Sequence, residues 1–168
     1  MTKLYLVRHG ETTDNARQIL QGHLQGELNE TGILQAEAVR DRLAEVHFDA
    51  IIASDLRRSI HTAAIIAEPH GLSVETTPLL RERDWGDFTG AFIPDLKGAQ
   101  WPDNVEPLDA LCDRARRFLS SVASNYPDCQ VLAVGHGIVN KAIQSVYYGK
   151  PMSELQKMNN GEVRILEL

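Results

Sequence analysis

Three short apolar runs in this chain each end directly at a cluster of polar residues. The runs are Lys3 to Val7, Ala50 to Ala53 and Gln130 to Val134, and each has the aliphatic character of a buried strand. A segment with helical character follows the second and third runs almost at once. A strand that leads straight into a helix is the repeating unit of a parallel sheet, so this pattern restricts the chain to an α/β fold.

Helical patterns fill much of the chain between these runs. Apolar residues recur at three- and four-residue steps from Thr31 to Val46, with Asn29 or Thr31 available to cap the start. Further helices are predicted from Ser54-Asp55 to about Glu68, from Leu108 to about Tyr126, and from Gly135-His136-Gly137 to Tyr148. Glu162 to Leu168 is predicted as a closing strand. The segment from Thr76 to Pro107 is rich in glycine and proline, and a loop of that length is usually functional.

Strands that alternate with helices form a mostly parallel sheet that is covered on both faces. We therefore predict a three-layer α/β sandwich formed by a single domain over residues 1–168. A chain of this length buries roughly two-thirds of its unfolded surface, so it needs no disulfide or metal to hold it together. In such folds, ligands bind where strands end and helices begin, which is where the polar clusters of this chain stand.

The overall charge and hydropathy exclude several classes of protein. The net charge of −6 argues against a nucleic-acid partner, which would require a basic face. No stretch approaches the roughly 20 apolar residues of a membrane span, and the apolar run at the start is too short for a signal peptide. Cys112 and Cys129 are too far apart for a redox or zinc motif and are expected to be free thiols. We expect a cytoplasmic protein.

The polar clusters at the predicted strand ends contain a set of cations. They supply Arg8, His9, His136 and either Arg57 or Arg58. Two arginines and two histidines in one pocket repel each other unless an anion lies between them. Because a guanidinium binds phosphate oxygens with its planar fork, and because phosphoryl transfer depends on positioning and charge, a phosphate ester is the expected ligand.

One of these residues, His9, can act as a nucleophile towards phosphorus. A neutral imidazole forms a covalent phosphoryl intermediate when its other nitrogen keeps its proton, and Gly10 allows a backbone carbonyl to come close enough to hold that proton. The reaction also needs an acid for the leaving oxygen. Glu82 is the candidate, and from the sequence Asp84 and Asp87 remain alternatives.

Several motifs occur in order along nearly the whole chain. They are Arg8-His9-Gly10-Glu11-Thr12 with Asn15, Gln21-Gly22, Leu28-Asn29-x-x-Gly32-x-x-Gln35-Ala36, Ser54-x-Leu56-x-Arg58-Ser59-x-His61-Thr62-Ala63, Leu80-Arg81-Glu82 and Val134-Gly135-His136-Gly137. With these motifs, the chain resembles the histidine phosphatase superfamily and, within it, the phosphoglycerate-mutase-like branch.

The resemblance implies roles for particular residues, beginning with His9 as the nucleophile and Glu82 as the proton donor. The residues implied to bind the phosphoryl group are Arg8, Arg58 and His136. Those implied to contact the substrate are Asn15, Gln21, Gly22 and Gly137. The preference for Arg58 over Arg57 comes from the resemblance alone, and no metal or organic cofactor is implied.

The expected reaction is hydrolysis of a small soluble phosphomonoester through a phosphohistidine on His9. One alternative is a phosphoglycerate-type mutase, which in this family needs longer inserts and a tail. The other is a phosphohistidine or phosphoprotein phosphatase in signalling. Departures from the family pattern at Gln25, Thr89 and Val105-Glu106-Pro107 border the leaving-group side. They leave open whether the substrate is α-ribazole phosphate, a sugar phosphate or a glycerate phosphate, and the oligomeric state is open as well.

Simpler interpretations apply to the remaining candidates. A zinc site of His9, His136 and a carboxylate is disfavoured, because the nearby arginines would repel a divalent cation. Among the other histidines, His61 is expected to be structural, and surface positions are expected for His23, His47 and His70. The aromatic residues that could form a pocket wall or pack within the loop are Trp85, Phe88 and Trp101. Glu106 could contact the substrate, but the simpler interpretation is a carboxylate that favours the start of a helix.

Overall fold

Five strands form a single sheet in the computed structural model, which describes all 168 residues. The strands are β1 (Lys3–Arg8), β2 (Ala50–Ser54), β3 (Val74–Thr77), β4 (Gln130–Gly135) and β5 (Val163–Glu167). Their order is β3-β2-β4-β1-β5, and every neighbouring pair is parallel except β1 and β5. This mostly parallel sheet confirms the fold class predicted from the alternation of strands and helices.

Helices cover both faces of the sheet. They are α1 (Thr13–Ala16), α2 (Glu30–Leu43), α3 (Arg57–Ala67), α4 (Leu108–Asn125) and α5 (Gly137–Tyr148). Because successive strand residues point to opposite faces, Leu4 and Leu6 pack in a core with α4 and α5, whereas Tyr5 and Val7 pack in a second core with α2 and α3. The predicted three-layer sandwich is therefore confirmed.

The carboxyl ends of three adjacent strands are level with one another. Arg8 at the end of β1 pairs with Gly135 of β4, and Ala53 of β2 pairs with Val134 of the same strand. The residues that follow these strands therefore meet at one edge of the sheet, as the sequence pattern predicts.

The boundaries of α2 differ from the prediction at its C-terminal end. The Asn29 side chain caps the start and accepts a hydrogen bond from the Gly32 N–H at 2.8 Å. The helix ends at Leu43 rather than Val46, because the chain turns there and the Val46 N–H donates to the Leu43 carbonyl at 3.0 Å.

The start of α3 also differs. Ser54 belongs to β2, so it does not begin the helix, which starts three residues later at Arg57. The Arg57 N–H donates to the side-chain oxygen of Gln25 at 2.9 Å. Gln25, one of the departures from the family pattern, therefore has a structural role as a helix cap supplied from a distant loop.

The short strand β3, which the sequence pattern did not indicate, overlaps the start of the segment predicted to be irregular. The strand β3 is short and pairs with β2 through Val74 to Thr77, where only its ends are partly buried. The rest of the segment is a loop with short 3-10 turns at Pro78–Leu80, Gly86–Phe88 and Ile93–Leu96. The expectation of a long loop is thus met from residue 78 onwards.

The longest helix, α4, is amphipathic. Its buried residues Leu111, Ala115, Phe118 and Val122 recur at three- and four-residue steps and pack in the core. No helix in the structure combines the length and the apolar character that crossing a membrane requires.

Candidate active site

A small cavity opens at the carboxyl ends of the parallel strands and has a volume of about 100 Å³. Eight of the nine predicted site residues line it, and they are Arg8, His9, Asn15, Gln21, Gly22, Arg58, Glu82 and Gly137. The ninth, His136, is fully buried and packs edge-on against His9, with ring centroids 4.9 Å apart. The structure therefore brings all nine predicted residues to one place.

The His9 imidazole is buried, and its orientation is fixed by the neighbouring residue. Its Nδ1 atom lies 2.7 Å from the carbonyl oxygen of Gly10. A carbonyl oxygen can only accept a hydrogen bond, so Nδ1 carries the proton and Nε2 keeps a free lone pair. Burial, together with the charge of Arg58, lowers the pKa of His9 well below its ordinary value. The ring is therefore neutral at physiological pH.

Gly10 allows the backbone after β1 to approach the first turn of α2. A Cβ atom on Gly10 would lie 2.4 Å from the carbonyl oxygen of Gly32, a distance that no side chain tolerates. The Gly10 N–H donates to the Thr62 hydroxyl at 3.1 Å. These contacts place the Gly10 carbonyl where it can hold His9.

Arg58 is almost completely buried, with 1% of its surface exposed. Its two terminal nitrogens donate to backbone carbonyls of the loop that follows Gln21, at Gly22, Leu24 and Gln25. Burial lowers the pKa of Arg58 to about 10, so the guanidinium stays charged at neutral pH. The loop carbonyls hold this charge in a fixed position beside His9.

Arg8 reaches the cavity from the end of β1. One terminal nitrogen donates to the Met158 carbonyl at 2.7 Å. Burial lowers the pKa of Arg8, and the opposite charges of Glu82 and Glu162 limit that change. The Nε atoms of Arg8 and Arg58 are both buried without a hydrogen-bond partner.

His136 caps the start of α5, and two serine hydroxyls contact its ring. Its Nε2 atom lies 2.7 Å from the Ser54 hydroxyl and 3.0 Å from that of Ser59. Its Nδ1 atom is buried and has no partner. Burial, with the charge of Arg58, lowers the pKa of His136 well below its ordinary value. The neutral ring can therefore accept from a serine at Nε2 and keep a free N–H donor at Nδ1.

The Glu82 carboxylate, from the long loop, packs against the first turn of α5. One oxygen accepts from the Ile138 N–H at 3.0 Å, and the other accepts from the Val139 and Arg83 N–H groups at 2.9 Å. The two N–H groups of α5 fix the position of this carboxyl group at the N-terminal end of the helix. Of the three carboxylates proposed from the sequence, only Glu82 lines the cavity.

The two alternative carboxylates, Asp84 and Asp87, form hydrogen bonds within the loop. The Asp84 side chain accepts from the Gly86 N–H at 2.9 Å, and Asp87 accepts from the Asn104 amide at 2.9 Å. Both contacts stabilise local turns.

Arg114, which the sequence analysis did not single out, holds the backbone around Glu82. Its guanidinium donates to the carbonyl oxygens of Leu79, Arg81 and Glu82 at 2.6–3.3 Å. It also pairs with Glu106 at 2.9 Å, and both side chains are largely buried. Glu106 therefore anchors Arg114 and is not a cavity residue. No local pattern in the sequence distinguishes Arg114 from the other arginines of α4.

Lys157 lines the cavity but was not predicted as a site residue. It lies between the 3-10 turn at Met152–Glu154 and β5, in a segment without regular structure. Its pKa is lowered by burial of the ammonium group and by the charge of Arg8. No motif marks this position in the sequence.

Some expectations about the other histidines are wrong. His61 was expected to be structural, but it is exposed on α3, because the buried face of that helix is formed by other residues. His23 was expected at the surface, but it is partly buried and its Nε2 atom lies 2.9 Å from the Glu82 carbonyl oxygen. His70 is also partly buried, against the Phe48 ring, whereas His47 is exposed as expected.

The aromatic residues of the loop divide between the two proposed roles. Trp85 lines the cavity. Phe88 is buried against Trp101, which itself remains 53% exposed. The Arg83 guanidinium lies 4.8 Å and 5.2 Å from the ring centres of Trp85 and Trp101, and these cation–π contacts stiffen the loop beside Glu82.

The sequence matches a known family of proteins. The model of the histidine phosphatase superfamily (branch 1) matches residues 4–168. The chain belongs to this family. This histidine phosphatase is 34% identical over 165 residues to the uncharacterized phosphatase PhoE of Bacillus subtilis. The alignment covers 95% of this chain and 85% of the relative.

Two further comparisons extend this result. The chain is 35% identical to phosphoglycerate mutase-like protein 4 of Arabidopsis thaliana, with 99% of this chain and 79% of the relative covered. A solved structure of a mycobacterial glucosyl-3-phosphoglycerate phosphatase in complex with VO3 superposes with a TM-score of 0.91 at 29% identity, over 98% of this chain and 92% of the other. This histidine phosphatase therefore has relatives named as phosphatases and relatives named as mutase-like.

Proposed function

We propose that this enzyme hydrolyses a small phosphomonoester through a phosphohistidine on His9, with Glu82 as the proton donor. The main support is that three buried nitrogens have no hydrogen-bond partner. They are Arg8 Nε, Arg58 Nε and His136 Nδ1. Buried donors are almost always satisfied. Three unsatisfied donors around a neutral histidine are the arrangement that an incoming phosphoryl group would complete.

In the first step, His9 Nε2 attacks phosphorus. The bond between Nε2 and phosphorus forms while the ester P–O bond breaks, and protonated Glu82 gives its proton to the leaving oxygen. The arginines and the His136 N–H stabilise the negative charge on the phosphoryl oxygens. The Nδ1 proton, held by the Gly10 carbonyl, stabilises the positive charge that the ring acquires.

In the second step, water attacks the phosphohistidine. Glu82 takes a proton from the water, the P–N bond breaks, and His9 recovers its lone pair. Inorganic phosphate leaves with the Glu82 carboxyl protonated for the next cycle. The same residues thus serve both steps with reversed proton transfer.

The dimensions of the site match a phosphoryl group. The cavity of about 100 Å³ is far smaller than the roughly 300–1,000 Å³ of sites that enclose a drug-sized ligand, so it accommodates the phosphoryl group and little more. Trp85 and Ile93 from the long loop line part of it. A sugar phosphate, a glycerate phosphate or α-ribazole phosphate could place its phosphate here and leave the remainder at the rim.

Replacement of His9 tests the mechanism. We expect His9→Ala to lower hydrolysis of an aryl phosphate by at least about 10⁴-fold, as loss of a catalytic nucleophile does elsewhere. His61→Ala, which removes an exposed histidine of the same chain, is the matched control and should retain activity. If His9→Ala retains hydrolysis, the mechanism is wrong.

Phosphoglycerate mutase activity is the second candidate function, because one relative is named a phosphoglycerate mutase-like protein. The two reactions differ in the acceptor of the phosphoryl group. The enzyme should release phosphate from 3-phosphoglycerate or another phosphomonoester in a substrate panel, with or without a bisphosphate primer. Formation of 2-phosphoglycerate without release of phosphate would favour the mutase.

A further inference from the structure

Lys157 contributes a cation to the cavity that the proposed chemistry does not use. The charged groups that act on its ammonium are Arg8, Glu82 and Lys141, and none of them forms an ion pair with it. The only carboxylate of these, Glu82, is engaged with backbone N–H groups of α5. Lys157 therefore forms no direct ion pair within the chain, and Glu82 acts on it only from a distance.

The position of Lys157 is set by the absence of a side chain at Gly137. A Cβ atom on Gly137 would lie 2.7 Å from Lys157 Cε and 3.4 Å from Arg8 Cζ. Glycine thus lets the lysine stem lie across the first turn of α5 and reach the cavity. Lys157 is an exposed residue, whereas Arg58 is buried. Lys157 consequently stands at the rim, where the part of the substrate beyond the phosphate emerges.

The charges of the cavity residues leave one cation over. Arg8, Arg58 and Lys157 carry three positive charges, and Glu82 must be protonated to act as the acid. A phosphomonoester brings up to two negative charges at neutral pH. While Glu82 is protonated, one positive charge is left without a partner, and Lys157 is the most exposed of the three cations.

We propose that Lys157 selects phosphomonoesters whose leaving group carries a carboxylate close to the ester oxygen. A carboxylate has the single negative charge that balances one lysine, and it lies within reach of a group that extends over Gly137. This proposal rests on the proposed function, since it assumes that the phosphoryl group occupies the cavity beside His9.

Binding in the His9→Ala background tests the proposal without turnover. The ligands are 3-phosphoglycerate and glycerol 3-phosphate. The first has a carboxylate where the second has a hydroxymethyl group. Calorimetry should show that 3-phosphoglycerate binds at least about tenfold more tightly than glycerol 3-phosphate, as expected for one charge-assisted contact. Adding Lys157→Gln should reduce that preference to less than about threefold, and Lys157→Arg should restore most of it.

Lys150→Gln is the matched control, because Lys150 is exposed at the far end of α5 and should leave the preference intact. The proposal is overturned if His9→Ala shows no preference, or if Lys157→Gln weakens both ligands by the same factor, which would assign Lys157 to the phosphoryl group. Failure of the proposed function would be visible elsewhere, as absence of hydrolysis by the unmodified enzyme.

Discussion

The Nδ1 atom of His9 lies 2.7 Å from the carbonyl oxygen of the next residue, Gly10. This contact between two adjacent residues fixes the tautomer of the His9 ring, and it does not depend on a bound substrate. It leaves Nε2 as the only nitrogen with a free lone pair, and the pKa of the ring, lowered by burial and by Arg58, keeps that lone pair unprotonated. The reactivity proposed for His9 is therefore built into the backbone after β1.

Glu82→Gln should separate substrates by their leaving groups. We expect kcat/KM for an alkyl phosphate to fall by about 10²–10⁴-fold, because its leaving oxygen needs a proton. For an activated aryl phosphate, the fall should be less than about tenfold, because that leaving group departs as an anion. Asp87→Asn, in the same loop, is the control. Equal losses for both substrates would show that Glu82 is not the acid.

The two serines that contact His136 should control which of its nitrogens donates. Ser54→Ala combined with Ser59→Ala removes both partners of Nε2, so the ring can place its proton there and lose the Nδ1 donor. We expect kcat/KM for an aryl phosphate to fall at least about tenfold, as for other orienting partners of a functional histidine. Steady-state kinetics that match the unmodified enzyme would contradict this role.

Arg114→Ala should destabilise the fold and disturb the Glu82 loop. It leaves Glu106 without its ion pair and the carbonyl groups of Leu79 and Arg81 without their donor, whereas the Glu82 carbonyl keeps its contact with His23. We expect the free energy of unfolding to fall by about 2–4 kcal/mol, because the pair is largely buried. Arg116→Ala on the same helix, whose pair with Asp113 is exposed, should change it by less than about 0.5 kcal/mol. Urea unfolding of the two variants decides this prediction.

Stability should fall in acid because His9 and His136 are buried in neutral form. Burial lowers the pKa of both below the ordinary value, so below about pH 6.5 the unfolded chain binds protons that the folded chain does not. Each histidine then subtracts up to about 1.4 kcal/mol from the free energy of unfolding per pH unit.

Urea unfolding at several pH values measures this effect. Replacing His9 by Asn should make the loss of stability below about pH 6.5 shallower, whereas His47→Asn, at an exposed position, should not. An unchanged slope in His9→Asn would show that His9 is not held neutral by the fold.

The central part of the fold and site could be predicted because it depends on local patterns. The runs that form β1, β2 and β4 are continuous and apolar, and parallel strands necessarily bring their carboxyl ends together. That rule alone placed His9 and His136 at one edge of the sheet. The distinction between Arg57 and Arg58 needed the family resemblance, and the structure shows why it matters: Arg58 is buried, whereas Arg57 pairs with Glu27 at the surface.

The remaining features depend on tertiary contacts that no local pattern records. The strand β3 is four residues long, and its central residues are exposed, so it has no apolar alternation. The engagement of Glu82 with α5 joins residues 56 and 57 positions apart. Lys157 reaches the cavity only because of a glycine twenty residues earlier. Such relationships appear when the chain is folded and not before.

Direct detection of a phosphorylated His9 tests the central claim. Glu82→Gln enzyme, which should react with an activated aryl phosphate but hydrolyse the intermediate slowly, is mixed with that substrate, quenched under alkaline conditions and analysed by peptide mass spectrometry. We expect one acid-labile phosphoryl group on the peptide that contains His9. A phosphoryl group on any other residue, or continued hydrolysis with no phosphorylated enzyme at any time, would contradict it.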